Sequence, residues 1–183
     1  DAIPMEAMDK FIHKKRAEGM PGLGAMHVLV SAYIRMLSQK PGLNRFLSGL
    51  RIFARHNIEV IMAVKKELSI DAPETMIKFV FQPNATIYDV YNQFNEKINA
   101  FKNSKEEESA FDFVAALLGK IPRFFLKATV GFLKFLDYHG WLPKFLTDLS
   151  PFHGSLVITS MASLGIPPVF HHLYNFGNVP VFI

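Results

Sequence analysis

His56-Asn57-Ile58-Glu59-Val60-Ile61-Met62-Ala63-Val64 decides the fold class. Ile58, Val60, Met62 and Val64 occupy alternate positions, the period of a strand that buries one face. Downstream, residues 75–81 alternate in the same way. Ile77, Phe79 and Phe81 fall on one side and Met76, Lys78 and Val80 on the other, between Pro73 and Pro83. Upstream, Arg51-Ile52-Phe53 adds a third apolar, β-branched run. Two or three paired strands therefore form the middle of the chain.

Around this centre the period becomes helical. Met5, Met8, Phe11 and Ile12 predict an amphipathic helix over residues 5–18, stopped by Gly19 and Pro21-Gly22. Met26, Leu29, Val30, Tyr33, Ile34 and Leu37 give a wide apolar face to a second helix over 24–39, ended by Pro41-Gly42. After the strands, Thr86 is placed to cap a helix over 87–102. Lys105-Glu106-Glu107-Glu108 reads as a solvated linker or the start of a helix. Two Phe-rich helices are expected over 109–118 and 122–138, the second with Pro in its first turn, before Gly140-Trp141-Leu142-Pro143 breaks the pattern. Residues 155–160 read as a buried strand and 179–183 as another. The whole is a mixed α/β fold, helices covering a largely antiparallel or mixed sheet.

Composition narrows the functions. The 183 residues suit one domain, and half are hydrophobic. Zero cysteines exclude a disulfide scaffold, a Cys-ligated metal and thiol nucleophile chemistry, and fit a reducing compartment. The first residues carry neither a basic n-region nor an apolar h-region. The longest apolar stretches are interrupted by Lys120, Arg123, Lys127 and Lys134, too soon for a spanning helix. A formal charge of +4, with no stacking motif and no Gly-rich phosphate loop, argues against nucleic acid.

Eight of the 18 phenylalanines (111, 113, 124, 125, 132, 135, 145 and 152) sit in one stretch. Lys120, Lys127 and Lys134 lie seven apart there and share a helical stripe, with Arg123 one turn along. A basic stripe opposite Phe and Leu suits peripheral contact with an anionic membrane. The more ordinary reading is a helix packed on its own sheet or on a second subunit, lysine stems lying along apolar surface.

Histidines are the natural acid–base candidates. None of the seven (His13, His27, His56, His139, His153, His171 and His172) has the spacing of a helical metal site, so no metal is expected. No Gly-x-Ser-x-Gly elbow is present. Ser160, at the end of the strand over 155–160, is placed to donate a hydrogen bond to a developing oxyanion, or simply to satisfy the turn that follows.

Three segments together carry a resemblance. Pro41-Gly42-Leu43-Asn44 resembles the Pro-x-Leu-Asn motif of the acyltransferase component of 2-oxo acid dehydrogenase complexes. Asn57 to Val64 is similar to that family's Asn-Ile-x-x-Ala-Val strand. Gly154-Ser155-Leu156-Val157-Ile158-Thr159-Ser160, with Leu164-Gly165 after it, resembles its Gly-Thr-Phe-Thr-Ile-Ser-Asn-Leu-Gly strand. The resemblance implies a chloramphenicol acetyltransferase-like fold, a trimer in the cytoplasm, and coenzyme A or acyl-coenzyme A as substrate. It also implies a His general base and a hydroxyl, at the position of Ser160, that stabilises the oxyanion. His171-His172-Leu173-Tyr174-Asn175-Phe176-Gly177 has the spacing of the family's His-His-x-x-x-Asp-Gly motif, with Phe176 in place of Asp; His172 is thus the alternative base, and the family's own motif would fall after Ile183. The expected unit is a single acyltransferase-like domain over 1–183, incomplete at both ends, with a Phe-rich helical insertion at about 105–152 and no lipoyl or subunit-binding domain. The expected activity is acyl transfer from a coenzyme A thioester to a thiol or hydroxyl. The alternative is a non-catalytic interaction or membrane-surface protein that kept the fold and lost the base.

Overall fold

The computed structural model describes residues 4–65, 74–103, 119–120, 122–160 and 176–183. Two helices open the chain, α1 (Met5–Ala17) and α2 (Ala25–Gln39), followed by a 3₁₀ turn at Pro41–Leu43. Strands β1 (Arg45–Ser48), β2 (Arg51–Ala54), β3 (Ile58–Lys65) and β4 (Glu74–Phe81) come next, then α3 (Ile87–Asn103). Beyond it lie α4 (Arg123–His139), the short α5 (Lys144–Leu149) and β5 (Leu156–Ile158). The predicted helix over 109–118 lies outside the described residues.

Among the described residues the strands make two sheets. β1 and β2 form an antiparallel pair, and β4-β3-β5 is a mixed sheet with β3 in the centre. β3 pairs antiparallel with β4 (Val60↔Phe79) and parallel with β5 (Val60↔Leu156). Residues 181–183 continue the ladder beyond β5: Val157 N–H donates to Val181 O and Ile183 N–H to Val157 O, each at 2.9 Å. The run 179–183 is thus strand-like through one bridge, Val157↔Phe182. β5 is shorter than expected, and Thr159 and Ser160 emerge exposed after it.

The alternation in the sequence becomes two faces. Ile58, Val60, Phe79, Phe81, Leu156 and Ile158 are buried beneath Val30, Ile34 and Leu37 of α2 and Val90 and Phe94 of α3. The Phe79 and Phe94 rings lie 4.4 Å apart between centroids, an aromatic contact that adds about 0.5–1.5 kcal/mol to the area they bury. α1 closes a smaller cluster of Ile12, Met20 and Leu23. It ends where Gly19 takes φ +106°, letting Met20 N–H reach back to Lys15 O. At α3, the Asp89 carboxylate accepts both the N–H and the hydroxyl of Thr86 at 2.7 Å, so Thr86 caps by donating to the helix's first turn.

β1 was not expected as a strand. Its burial alternates only between exposed and half-buried, which leaves no strong apolar period to read. The hairpin is set by its loop: Gly49, the first of two loop residues, has φ +59°, as mirror-image hairpin turns require. The second helix of the Phe-rich pair begins one residue later than expected, with Pro122 as cap, and ends at Gly140 in the left-handed region, φ +70°. Lys120 precedes that helix and so does not share its stripe with Lys127 and Lys134.

Candidate functional site

The three segments carrying the resemblance meet at one point. Asn44, just past the 3₁₀ turn, is buried, and its Nδ2 donates to Asn57 O at 2.9 Å. Its Oδ1 accepts from the Ser155 hydroxyl at 2.8 Å. The same Ser155 oxygen accepts the Glu59 N–H at 3.1 Å, while Ser155 N–H donates to Glu59 O at 2.8 Å. Tyr33 of α2 donates to Ser155 O at 2.8 Å. Asn44 and Ser155 therefore fasten the α2 terminus to the start of both β3 and β5. A Cβ at Gly154 beside them would stand 2.6 Å from Ile61 Cδ1 and 3.3 Å from Glu59 O, so any side chain there would force Ile61 to shift.

The far face of the sheet is charged. Arg55 reaches Asn178 with hydrogen bonds to its backbone and side-chain oxygens and lies over the Phe46 ring, 4.3 Å from the centroid. Glu59 lies 3.9 Å from Arg55 Nη1 and 3.6 Å from Lys78 Nζ. Lys78 also donates to Thr147 O of α5 at 2.6 Å. Burial lowers the pKa of both Arg55 and Lys78, and Glu59 opposes that by favouring their charged forms.

Beside this cluster stands a buried relay. His153 Nε2 contacts Asp137 Oδ1 at 2.9 Å and its Nδ1 contacts Ser150 Oγ at 2.8 Å. With the Nε2 proton on the Asp137 side, Nδ1 accepts the Ser150 hydroxyl, a tautomer assigned from these partners. Burial raises the Asp137 carboxyl, but the hydrogen bonds it accepts from His153 and from the Gly177 N–H outweigh that and hold its pKa below the ordinary value. Ser150 is buried and its oxygen also accepts Phe152 N–H at 3.2 Å. The relay thus clamps α4 and α5 to the start of β5, and Ser150 is not presented as a nucleophile. A cavity of about 140 Å³ is lined by Arg55, Glu59, Asp137, His153 and Asn178 among others, room for water or a small ion.

A larger apolar cleft, about 510 Å³, separates the β1–β2 hairpin from residues 176–182. Phe46, Leu47, Ile52, Phe152 and Phe176 line it, with Arg45 at its edge. Its size is that of a small-molecule site.

Of the expected site residues, Ser160 is exposed just past β5, and His172 lies outside the described residues. His13 and His56 are exposed. The His27 ring takes the Gly24 N–H at 3.1 Å, with its pKa lowered by burial among Tyr91 and Phe94. His139 caps back onto Phe135 O. The Asp137–His153 pair carried no sequence signal, because its partners lie 16 positions apart on different elements. Among the described residues there is no cluster of metal-ligating side chains, and no helix is long and apolar enough to cross a membrane.

No family model matches the chain, and no curated protein matches it. Among solved structures, the crystal structure of a probable dihydrolipoamide acetyltransferase from Listeria monocytogenes 4b F2365 is similar, with a TM-score of 0.48 and 14% identity over 87% of this chain. The chain spans 49% of the length of that structure.

Proposed function

We propose that this chain is an acyltransferase-like domain with a chloramphenicol acetyltransferase-like fold, transferring an acyl group from a coenzyme A thioester to a thiol or hydroxyl acceptor. The observation that carries the reading is the junction of Asn44, Asn57 and Ser155, which brings together the three segments that resemble the 2-oxo acid dehydrogenase acyltransferases. In this reading a histidine base takes the acceptor proton. The acceptor then attacks the thioester carbonyl, and Ser160, exposed past β5, donates to the oxyanion. Collapse of that intermediate expels the coenzyme A thiolate, which recovers a proton from the base. His172 or a histidine beyond Ile183 fills the base role, and the cleft beside Phe46 and Phe176 is the candidate acyl pocket.

Calorimetry of the full-length protein with coenzyme A and acetyl-coenzyme A tests the reading. Binding in the micromolar to millimolar range, followed by transfer to a small thiol, is the expected result; loss of transfer in His172→Ala would assign the base to His172, and its retention would place the base elsewhere. No heat at millimolar ligand rejects it and leaves a binding protein that kept the fold.

A further inference from the structure

The helical stretch richest in aromatic residues does not bury them. On α4, Phe124 is 79% exposed, Phe125 61%, Phe132 60% and Phe135 50%. The half-buried side of the helix is instead Leu126, Thr129, Leu133, Leu136 and Asp137. At 100° per residue the four phenylalanines cover one outward sector, and Arg123, Lys127 and Lys134 form its edge. The only acidic residue of α4, Asp137, points the other way and is held by His153. Trp141, 65% exposed, extends the apolar surface past the helix end, its ring 6.3 Å from that of Phe135, and Phe145 on α5 is 66% exposed. The tip of the β1–β2 hairpin abuts the same end through Ser48, which donates to Tyr138 O, and carries the almost fully exposed Leu50.

We infer that this face of α4 is a docking surface for an anionic lipid bilayer. A helix lying in the interface plane needs an apolar sector, aromatic residues at headgroup depth and cations along the edge, and α4 presents all three. Charge selects the occupant. A second copy of the chain would bring another cation-edged α4 with no outward carboxylate to meet it, whereas phosphatidylserine headgroups complement Arg123, Lys127 and Lys134 directly. This inference is independent of the acyl-transfer reading.

Trp141 is the one tryptophan in the chain, directly after α4, with its ring 5.0 Å from that of His139. It therefore reports the surface without a label. The full-length protein is titrated with phosphatidylcholine vesicles containing about 30 mol % phosphatidylserine, and with phosphatidylcholine alone. The expected result is a blue shift of Trp141 emission and co-sedimentation with the anionic vesicles, both reversed as salt shortens the screening length from about 10 Å towards about 3 Å. K127E/K134E should weaken partitioning on the order of 30-fold or more, each cation contributing about fivefold. F124S/F135S should weaken it at any salt while leaving the melting temperature unchanged. The inference is overturned by no binding to anionic vesicles, or by binding that ignores phosphatidylserine and the charge reversal. A concentration-dependent dimer dissolved by F124S/F135S, without vesicle binding, assigns the face to a second copy. A large loss of melting temperature in F124S/F135S assigns it to the protein's own packing. Either of those results also rejects the lipid surface.

Discussion

The Ser155 hydroxyl donates to the Asn44 side-chain oxygen across 2.8 Å, joining residues 111 positions apart. Both residues are buried, so every polar atom in the junction has to find a partner inside the protein. Asn44 satisfies the backbone of the β2–β3 link, and Ser155 satisfies Glu59 on the central strand. Two short polar side chains thereby hold the relative position of α2, β3 and β5.

Removing either partner strands the other in a dry site. Asn44→Ala and Ser155→Ala should each lower the unfolding free energy by about 1–3 kcal/mol. Chemical denaturation of the two singles and the double should show a loss smaller than the sum, because both act on one network. Additive losses would mean that the two side chains act separately.

Ser160 stands outside that network. Its exposure predicts that Ser160→Ala leaves the melting temperature unchanged. If its hydroxyl stabilises an oxyanion, acyl transfer should fall by about 10²–10³ in kcat with little change in KM. An unchanged kcat would return Ser160 to a plain turn residue.

Acid should weaken the clamp at Asp137. The folded-state pKa of this carboxyl is lowered from 3.8. Its stabilisation is therefore complete above the unfolded value and is lost as pH falls through the lower folded one. Melting temperatures of the wild type should drop more steeply than those of Asp137→Asn between about pH 4 and pH 2, the window below the ordinary carboxylate value. Parallel curves for the two proteins would show that the pair contributes nothing there.

Gly177 is the least replaceable glycine described. Its φ is +84°, and a Cβ would stand 2.0 Å from Phe152 O. Gly177→Ala should destabilise by more than the roughly 1–2 kcal/mol of left-handed strain alone, because the backbone must also move. Gly19→Ala supplies the control: φ is +106° and nothing lies within 4 Å, so strain is its whole cost. Equal losses in thermal melts would refute the steric argument.

The sequence was most legible where one face is buried and the other is not. Ile58, Val60, Met62 and Phe79, Phe81 alternate because α2 and α3 cover one side of the sheet. β1 and α5 went unread for the opposite reason: neither buries a periodic face. Arg51-Ile52-Phe53 stands apart from the central mixed sheet because it pairs with β1, a strand without a signal. The Asn44, Asn57 and Ser155 motifs could be seen in the sequence, but their meeting point could not. Nor does a count of phenylalanines tell on which side of α4 they lie. The core takes its rings from Phe79, Phe81 and Phe94, and α4 leaves its own outside.

The central place of β3 also sets an order of assembly. Its pairing with β4 closes a short loop, whereas Glu59 and Ser155, at its other edge, are 96 positions apart. Closing so long a loop is entropically dearer and slower than forming a neighbouring hairpin. During synthesis, β3 and β4 are complete well before β5 leaves the ribosome, so one edge of β3 waits unpaired, with Ile61 uncovered. Such an edge recruits other strands. The nascent chain is therefore most exposed to aggregation in that interval, and a chaperone that shields β3 would raise the yield of folded protein without touching its final stability.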